Sequence, residues 1–65
     1  MIDVIICEIE MELGFDTKVP KMPEKGDKIS AWFDGKCYTC EIHSFLYEFK
    51  ENGCFDRVQI NVIAL

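Results

Sequence analysis

Residues 26–41, GDKISAWFDGKCYTCE, most narrowly limit what this chain can fold into. Two runs of strand-forming residues, 28–33 and 36–42, flank Asp34-Gly35, a dipeptide that tolerates the positive φ angles of a two-residue type I′ turn. Such a turn leaves the register no freedom. It pairs Phe33 with Lys36, Ala31 with Tyr38 and Ile29 with Cys40 on one face, and Trp32 with Cys37, Ser30 with Thr39 and Lys28 with Glu41 on the other. The Lys28/Glu41 pair joins opposite charges and supports this pairing. Ile29, Ala31, Tyr38, Cys40 and Ile42 are then the expected core set. Trp32 lies partly outside or beneath a neighbouring connection, as cover for a barrel end or as an anchor for a partner.

The second strand of this hairpin runs on through residues 42–49, IHSFLYEF, longer than a usual strand, so it has to bend. Asn52-Gly53 marks the next turn, after which Val58, Ile60, Val62 and Ala64 alternate with Arg57, Gln59 and Asn61. Two registers satisfy this pattern. A two-residue turn pairs Val58, Ile60 and Val62 with Tyr47, Phe45 and His43 and needs a face switch near Ser44. A three-residue loop with a glycine bulge pairs them with Leu46, Ser44 and Ile42 at constant parity. Either solution produces a long, coiled strand shared between two sheets, as a small barrel requires.

At the N-terminus, Cys7, Ile9, Met11 and Leu13 alternate with Glu8, Glu10 and Glu12, the period of a strand with one dry and one wet face. Ile2, Val4 and Ile6 have the opposite parity, which implies burial on both faces or a bulge near Ile5 and Ile6. The three glutamates read as the solvated face of that strand or as a partner surface. Residues 14–26, GFDTKVPKMPEKG, contain both prolines and three lysines without strand or helix period, and read as a long connection stiffened by proline. Its Pro20-Lys-Met-Pro23 spacing also fits a polyproline II segment.

Sixty-five residues make one domain, 1–65, whose small core only just offsets the ordering entropy of the chain, so stability is expected to be marginal or shared with a partner. The net charge of −5 disfavours general binding to a phosphate backbone. Residues 2–7 are interrupted by Asp3, lack a basic leader and do not read as a secretory signal. No apolar run approaches the roughly 20 residues of a membrane helix. A cytoplasmic location with reduced cysteines is the expectation that follows.

The acidic first strand, the proline-containing connection ending in Gly26-Asp27, the tight Asp34-Gly35 turn, the long bent strand and the closing strand together resemble the small SH3-like barrels of short bacterial and phage proteins. The resemblance implies an all-β fold, a four- to five-stranded, strongly bent antiparallel barrel in which residues 14–26 stand where SH3 domains carry their RT loop. The aromatic ALYDY-type motif of peptide-binding SH3 domains is absent, so recognition of proline peptides does not follow.

Chemistry is scarce. Cys37-Tyr-Thr-Cys40 followed by His43 has ligand-like spacing, and Cys7 and Cys54 are available to complete a zinc site. Positions three apart on an extended strand point to opposite faces, however, so reduced cysteines in a core or interface are the expectation, with no cofactor. His43 is the only histidine and has no triad context, and no phosphate-binding loop or nucleophile motif is present. The chain is therefore read as a non-enzyme. Phe15, Trp32, Phe33, Tyr38, Phe45, Tyr47, Phe49 and Phe55 are more rings than so small a barrel can enclose, which favours a module that binds a protein or itself. The expected partner-binding residues are Phe15, Lys18, Lys21, Trp32 and Phe33. Two other classes stand beside this reading: a zinc-binding domain using Cys37, Cys40 and His43, and a weak nucleic-acid binder using Lys18, Lys21, Lys25, Lys28 and Lys36.

Overall fold

Asp34 and Gly35 both take positive φ, 53° and 81°, and the hairpin around them has the register that a two-residue turn dictates, from Lys28 opposite Glu41 to Phe33 opposite Lys36. The structure, a computed structural model, describes all of residues 1–65. Five strands make up the fold: β1 Ile2–Glu8, β2 Leu13–Val19, β3 Lys28–Phe33, β4 Lys36–Phe49 and β5 Phe55–Ala64. They form one sheet in the order β2-β1-β5-β4-β3. No helix is long and apolar enough to cross a membrane.

The sheet curls into a half-barrel, which bears out the all-β, strongly bent architecture. Its edges, β2 and β3, meet through side chains: the Phe15 and Phe33 rings lie 5.4 Å apart, and Phe33 also packs near Tyr38. Pairing is not antiparallel throughout, because β1 and β5 run parallel from Val4 opposite Val58 to Glu8 opposite Val62. The concave side holds Val4 and Ile6 of β1, Val58, Ile60 and Val62 of β5, Cys40 and Ile42 of β4, and Ala31 and Phe33 of β3, all buried. Burying each aliphatic side chain in that set contributes roughly 1.5–3 kcal/mol. Ile29 and Tyr38, expected in the core, are half-buried and pack against it.

β4 resolves the two registers left open by the sequence by using both. Ile42 faces Val62, whereas Phe45 faces Ile60 and Tyr47 faces Val58, and the switch is a bulge between Ile42 and Ser44 that leaves His43 without a cross-strand partner. The extra residue exchanges the faces of the strand, so Ile42, Phe45 and Tyr47 all turn to the concave side.

Two expectations are corrected. The alternating glutamates do not form the wet face of a strand. β1 ends at Glu8, whose carboxylate is buried. Its Oε1 accepts from the backbone N–H groups of Glu10 and Met11 (3.0 Å to Met11), and its Oε2 accepts from Ala64 N–H at 2.7 Å. One acidic side chain thus shapes the turn at 9–12 and clamps the end of β5, which is worth more than an exposed position in a strand. Nor are residues 14–26 a connection throughout, since Leu13–Val19 is β2, paired with β1 from Glu8 opposite Leu13 to Ile2 opposite Val19. Phe15, Thr17 and Val19 alternate with Asp16 and Lys18. The glycine that disguised the strand serves a close approach, for a Cβ at Gly14 would sit 3.1 Å from Cys7 Sγ and from the Ile6 carbonyl oxygen.

Candidate functional site

Beyond the bulge, β4 leaves the barrel. β3 pairs with β4 only as far as Glu41, and β1 pairs with β5 only from Val58 onward. From Ser44 β4 is therefore an edge strand with β5 as its one neighbour, and residues 48–57, beyond the end of β1, form a two-stranded arm. Its tip is the turn at 50–53, where Gly53 (φ 90°) donates its N–H to Lys50 O at 2.9 Å and Cys54 N–H donates to the Asn52 side chain at 2.9 Å.

The concave stripe that is buried inside the barrel continues along this arm without a cover. Tyr47 is 60% exposed, Phe49 64% and Phe55 48%, and Phe49 and Phe55 meet edge to face at 5.7 Å. On the opposite face, Leu46 is 53% exposed between Ser44 and Glu48. Glu48 is held by Arg57 Nε at 3.1 Å, and Arg57 Nη1 reaches Asp16 of β2 at 2.5 Å, so the root of the arm is strapped to the convex face by charge. The two-stranded part carries Phe49 and Phe55, with Tyr47 at its root, and a ribbon of two strands buries too little to be stable by itself.

The five residues expected to bind a partner do not form one patch. Phe33 is buried and Phe15 packs on it, so both rings close the barrel seam. Trp32 projects from the other face of β3, 66% exposed, and covers no barrel end. Lys18 is paired with Asp3, while Lys21 is exposed on the 20–27 connection. The Lys18 bond and charge hold the Asp3 carboxyl below the usual carboxylate range.

Cys37 is exposed and Cys40 fully buried, on opposite faces of β4 as the strand period requires, and no three His, Cys, Asp or Glu side chains converge on a common point. Burial pushes the Cys40 thiol up, with Glu8 and Cys37 adding to it, and burial likewise raises Cys7, so both stay protonated at neutral pH. His43 Nδ1 lies 3.0 Å from Ser44 Oγ, which also accepts from Asn61 Nδ2 at 3.1 Å. Asn61 in turn accepts from Gln59. This polar chain borders a shallow depression of about 390 Å³ on the convex face, floored by Ile5, Cys7, Ile9 and Leu13.

Sequence reasoning reached the excess of rings but not their place. The available signal was Phe45-Leu46-Tyr47, apolar on both faces as in a central strand, in a segment that turns out to have a neighbour on one side only. No family model, curated protein or solved structure matches the chain.

Proposed function

We propose that this chain is a binding module without catalytic activity, which recognises a protein or a second copy of itself through the arm formed by the far ends of β4 and β5. The observation that carries the reading is the uncovered ring cluster of Tyr47, Phe49 and Phe55 at the end of the same stripe that builds the core. Rings in such a position supply large contact area at low cost in side-chain entropy, the composition of interface hot spots. The barrel holds the root of the arm through Arg57, Glu48 and Asp16, so the rings are presented by a fixed element. The proposal includes a place among the small SH3-like barrels, supported by the Gly26-Asp27 approach to β3, the tight Asp34-Gly35 turn and the bent β4.

A photoreactive phenylalanine analogue installed at Phe49, with Lys36 at the opposite end of β4 as control, tests the reading in cells that express the chain. Irradiation is expected to yield a covalent adduct from position 49 and none from position 36. Absence of any adduct at 49 would sink the proposal.

A further inference from the structure

The rings of the arm share their segment with a second unsatisfied feature. Between residues 44 and 49, β4 makes backbone hydrogen bonds to β5 on one side and to nothing on the other. Of the devices that keep natural edges single, the free edge has bulges only at its two ends and one charge, Glu48, already paired with Arg57; it has no proline and no lysine before Lys50, and bears apolar side chains on both faces at Phe45, Leu46 and Tyr47. The edge of β2, by contrast, bears Asp16 and Lys18 and is followed at once by Pro20, and the far end of β3 is occupied by β2 through Phe15 and Phe33. The slot on β4 also has fixed ends. At one end, Gly26 N–H donates to Ile42 O at 2.9 Å and Ile42 N–H to Asp27 O at 2.8 Å, so the residues leading into β3 already fill the position beside Ile42. At the other, the turn at 50–53 ends the strand.

We propose that this slot is filled by the same segment of a second copy, β4 pairing antiparallel with β4 across a two-fold axis at Tyr47. The inference rests on the binding role given to the arm and names its occupant. Tyr47 is the midpoint of residues 44–50, the stretch left free between the two ends. In that register Tyr47 faces the partner's Tyr47, and Phe45 faces the partner's Phe49, so the rings form one ladder on the concave side. Leu46 faces the partner's Glu48 and Ser44 the partner's Lys50, and no like charges meet. The neighbouring registers fail on the same grounds. An axis at Leu46 drives the partner's Lys50 onto Ile42, where Asp27 is bonded, and an axis at Glu48 sets two glutamates opposite each other.

Three rings of about 200 Å² each, half to two-thirds exposed, remove about 700 Å² over the two copies. Leu46 and the strand backbone bring the total towards the roughly 1,200 Å² at which specific interfaces begin. A small, reversible interface held by main-chain bonds and rings together follows.

Directly opposed residues in an antiparallel pair lie about 4.5–5.5 Å apart at Cα, within reach of a disulfide. With Cys37→Ser and Cys54→Ser removing the exposed thiols, Tyr47→Cys is expected to give a disulfide-linked dimer on mild oxidation, and Trp32→Cys in the same background a monomer. Cross-linking through Trp32→Cys but not Tyr47→Cys would overturn the proposal in favour of the β3 edge. In sedimentation equilibrium the wild type is expected to dimerise, and Leu46→Glu, a folded variant because position 46 is exposed, sets a carboxylate opposite the partner's Glu48 and is expected to raise the dissociation constant at least tenfold. A wild type that remains monomeric to about 1 mM would overturn the pairing. The photo-adduct at Phe49 separates the two levels: an adduct of twice the chain mass supports self-pairing, while one of any other mass alone retains the binding role and overturns the second copy as occupant.

Discussion

The two halves of β4 are one continuous strand with opposite circumstances. From Lys36 to Ile42 it pairs with β3 and the residues leading into β3, with β5 joining on the other side from Cys40, and its inward residues Cys40 and Ile42 are sealed. From Ser44 to Phe49 it has β5 alone, and its inward residues become steadily more exposed from Phe45 to Phe49. Local sequence does not distinguish them, since both halves are rich in aromatic and β-branched residues of high strand preference. The difference is the neighbour. At Cys40 to Ile42 the chain supplies a neighbour on each side, and from Ser44 onward it leaves one of those places open.

The sharpest way to break the comparison is truncation in each half. Ile42→Ala removes a fully buried side chain that has Val62 directly opposite, and is expected to lower unfolding free energy by about 2–5 kcal/mol, enough to unfold much of so small a domain. Phe49→Ala, although it deletes a larger group, is expected to cost no more than about 1 kcal/mol in the monomer, because most of that ring already faces water. Urea titration at low protein concentration, read by Trp32 fluorescence and far-UV circular dichroism, measures both. Equal losses would mean that the arm is folded against the barrel as tightly as the first half.

Next in size is Glu8, which holds the barrel end remote from the arm. Burial alone would push its carboxyl up, but the N–H groups of Ala64, Met11 and Glu10 outweigh that and leave it below the usual glutamate range. A depressed native value means that the clamp contributes fully above the unfolded value of about 4.3 and is lost as pH falls through the native one. Glu8→Gln keeps one acceptor and turns an amide donor toward a backbone donor, so a loss of about 1.5–3 kcal/mol at pH 7 is expected. The gap between wild type and variant should close as pH drops below about 4. Amide exchange followed by NMR should then show Glu10, Met11 and Ala64 released on acidification, with the bonds between β4 and β5 in the arm unaffected.

What could be read from the chain follows the same division. The β3–β4 hairpin was legible in full because Asp34-Gly35 fixes a register by backbone geometry alone, and the opposite faces of Cys37 and Cys40 came with it. β1 and β2 were misread for separate reasons, both of them long-range. An alternating Glu-apolar pattern imitates a half-buried strand, and nothing local shows that Glu8 finds three backbone donors brought together by a turn and by the last residues of β5. Strand β2 was hidden by Gly14, whose purpose appears only when Cys7 lies against it. The parallel pairing of β1 with β5 is likewise a long-range choice without a local mark. As for the site, the surplus of rings was countable, but which of them stay outside depends on where β1 and β3 stop.

The boundary between the halves is His43, and the smallest expected effect tests what kind of boundary it is. Its side chain is exposed and hydrogen-bonds with Ser44 Oγ, while its backbone is the extra residue that turns Phe45 and Tyr47 onto the face of Ile42. If the switch is a property of residue count, His43→Ala should change stability by no more than about 0.5 kcal/mol and leave the cross-strand contacts of Ile42 with Val62 and of Phe45 with Ile60 in place. Backbone nuclear Overhauser effects between β4 and β5 read the register directly. A variant that slipped to constant parity would send Tyr47 to the convex face and Leu46 to the concave one, and would show that the imidazole contact with Ser44 sets the bulge. The expected silence of this substitution makes the arm a consequence of one inserted backbone unit, which carries the strand out of the barrel with its apolar face still turned inward.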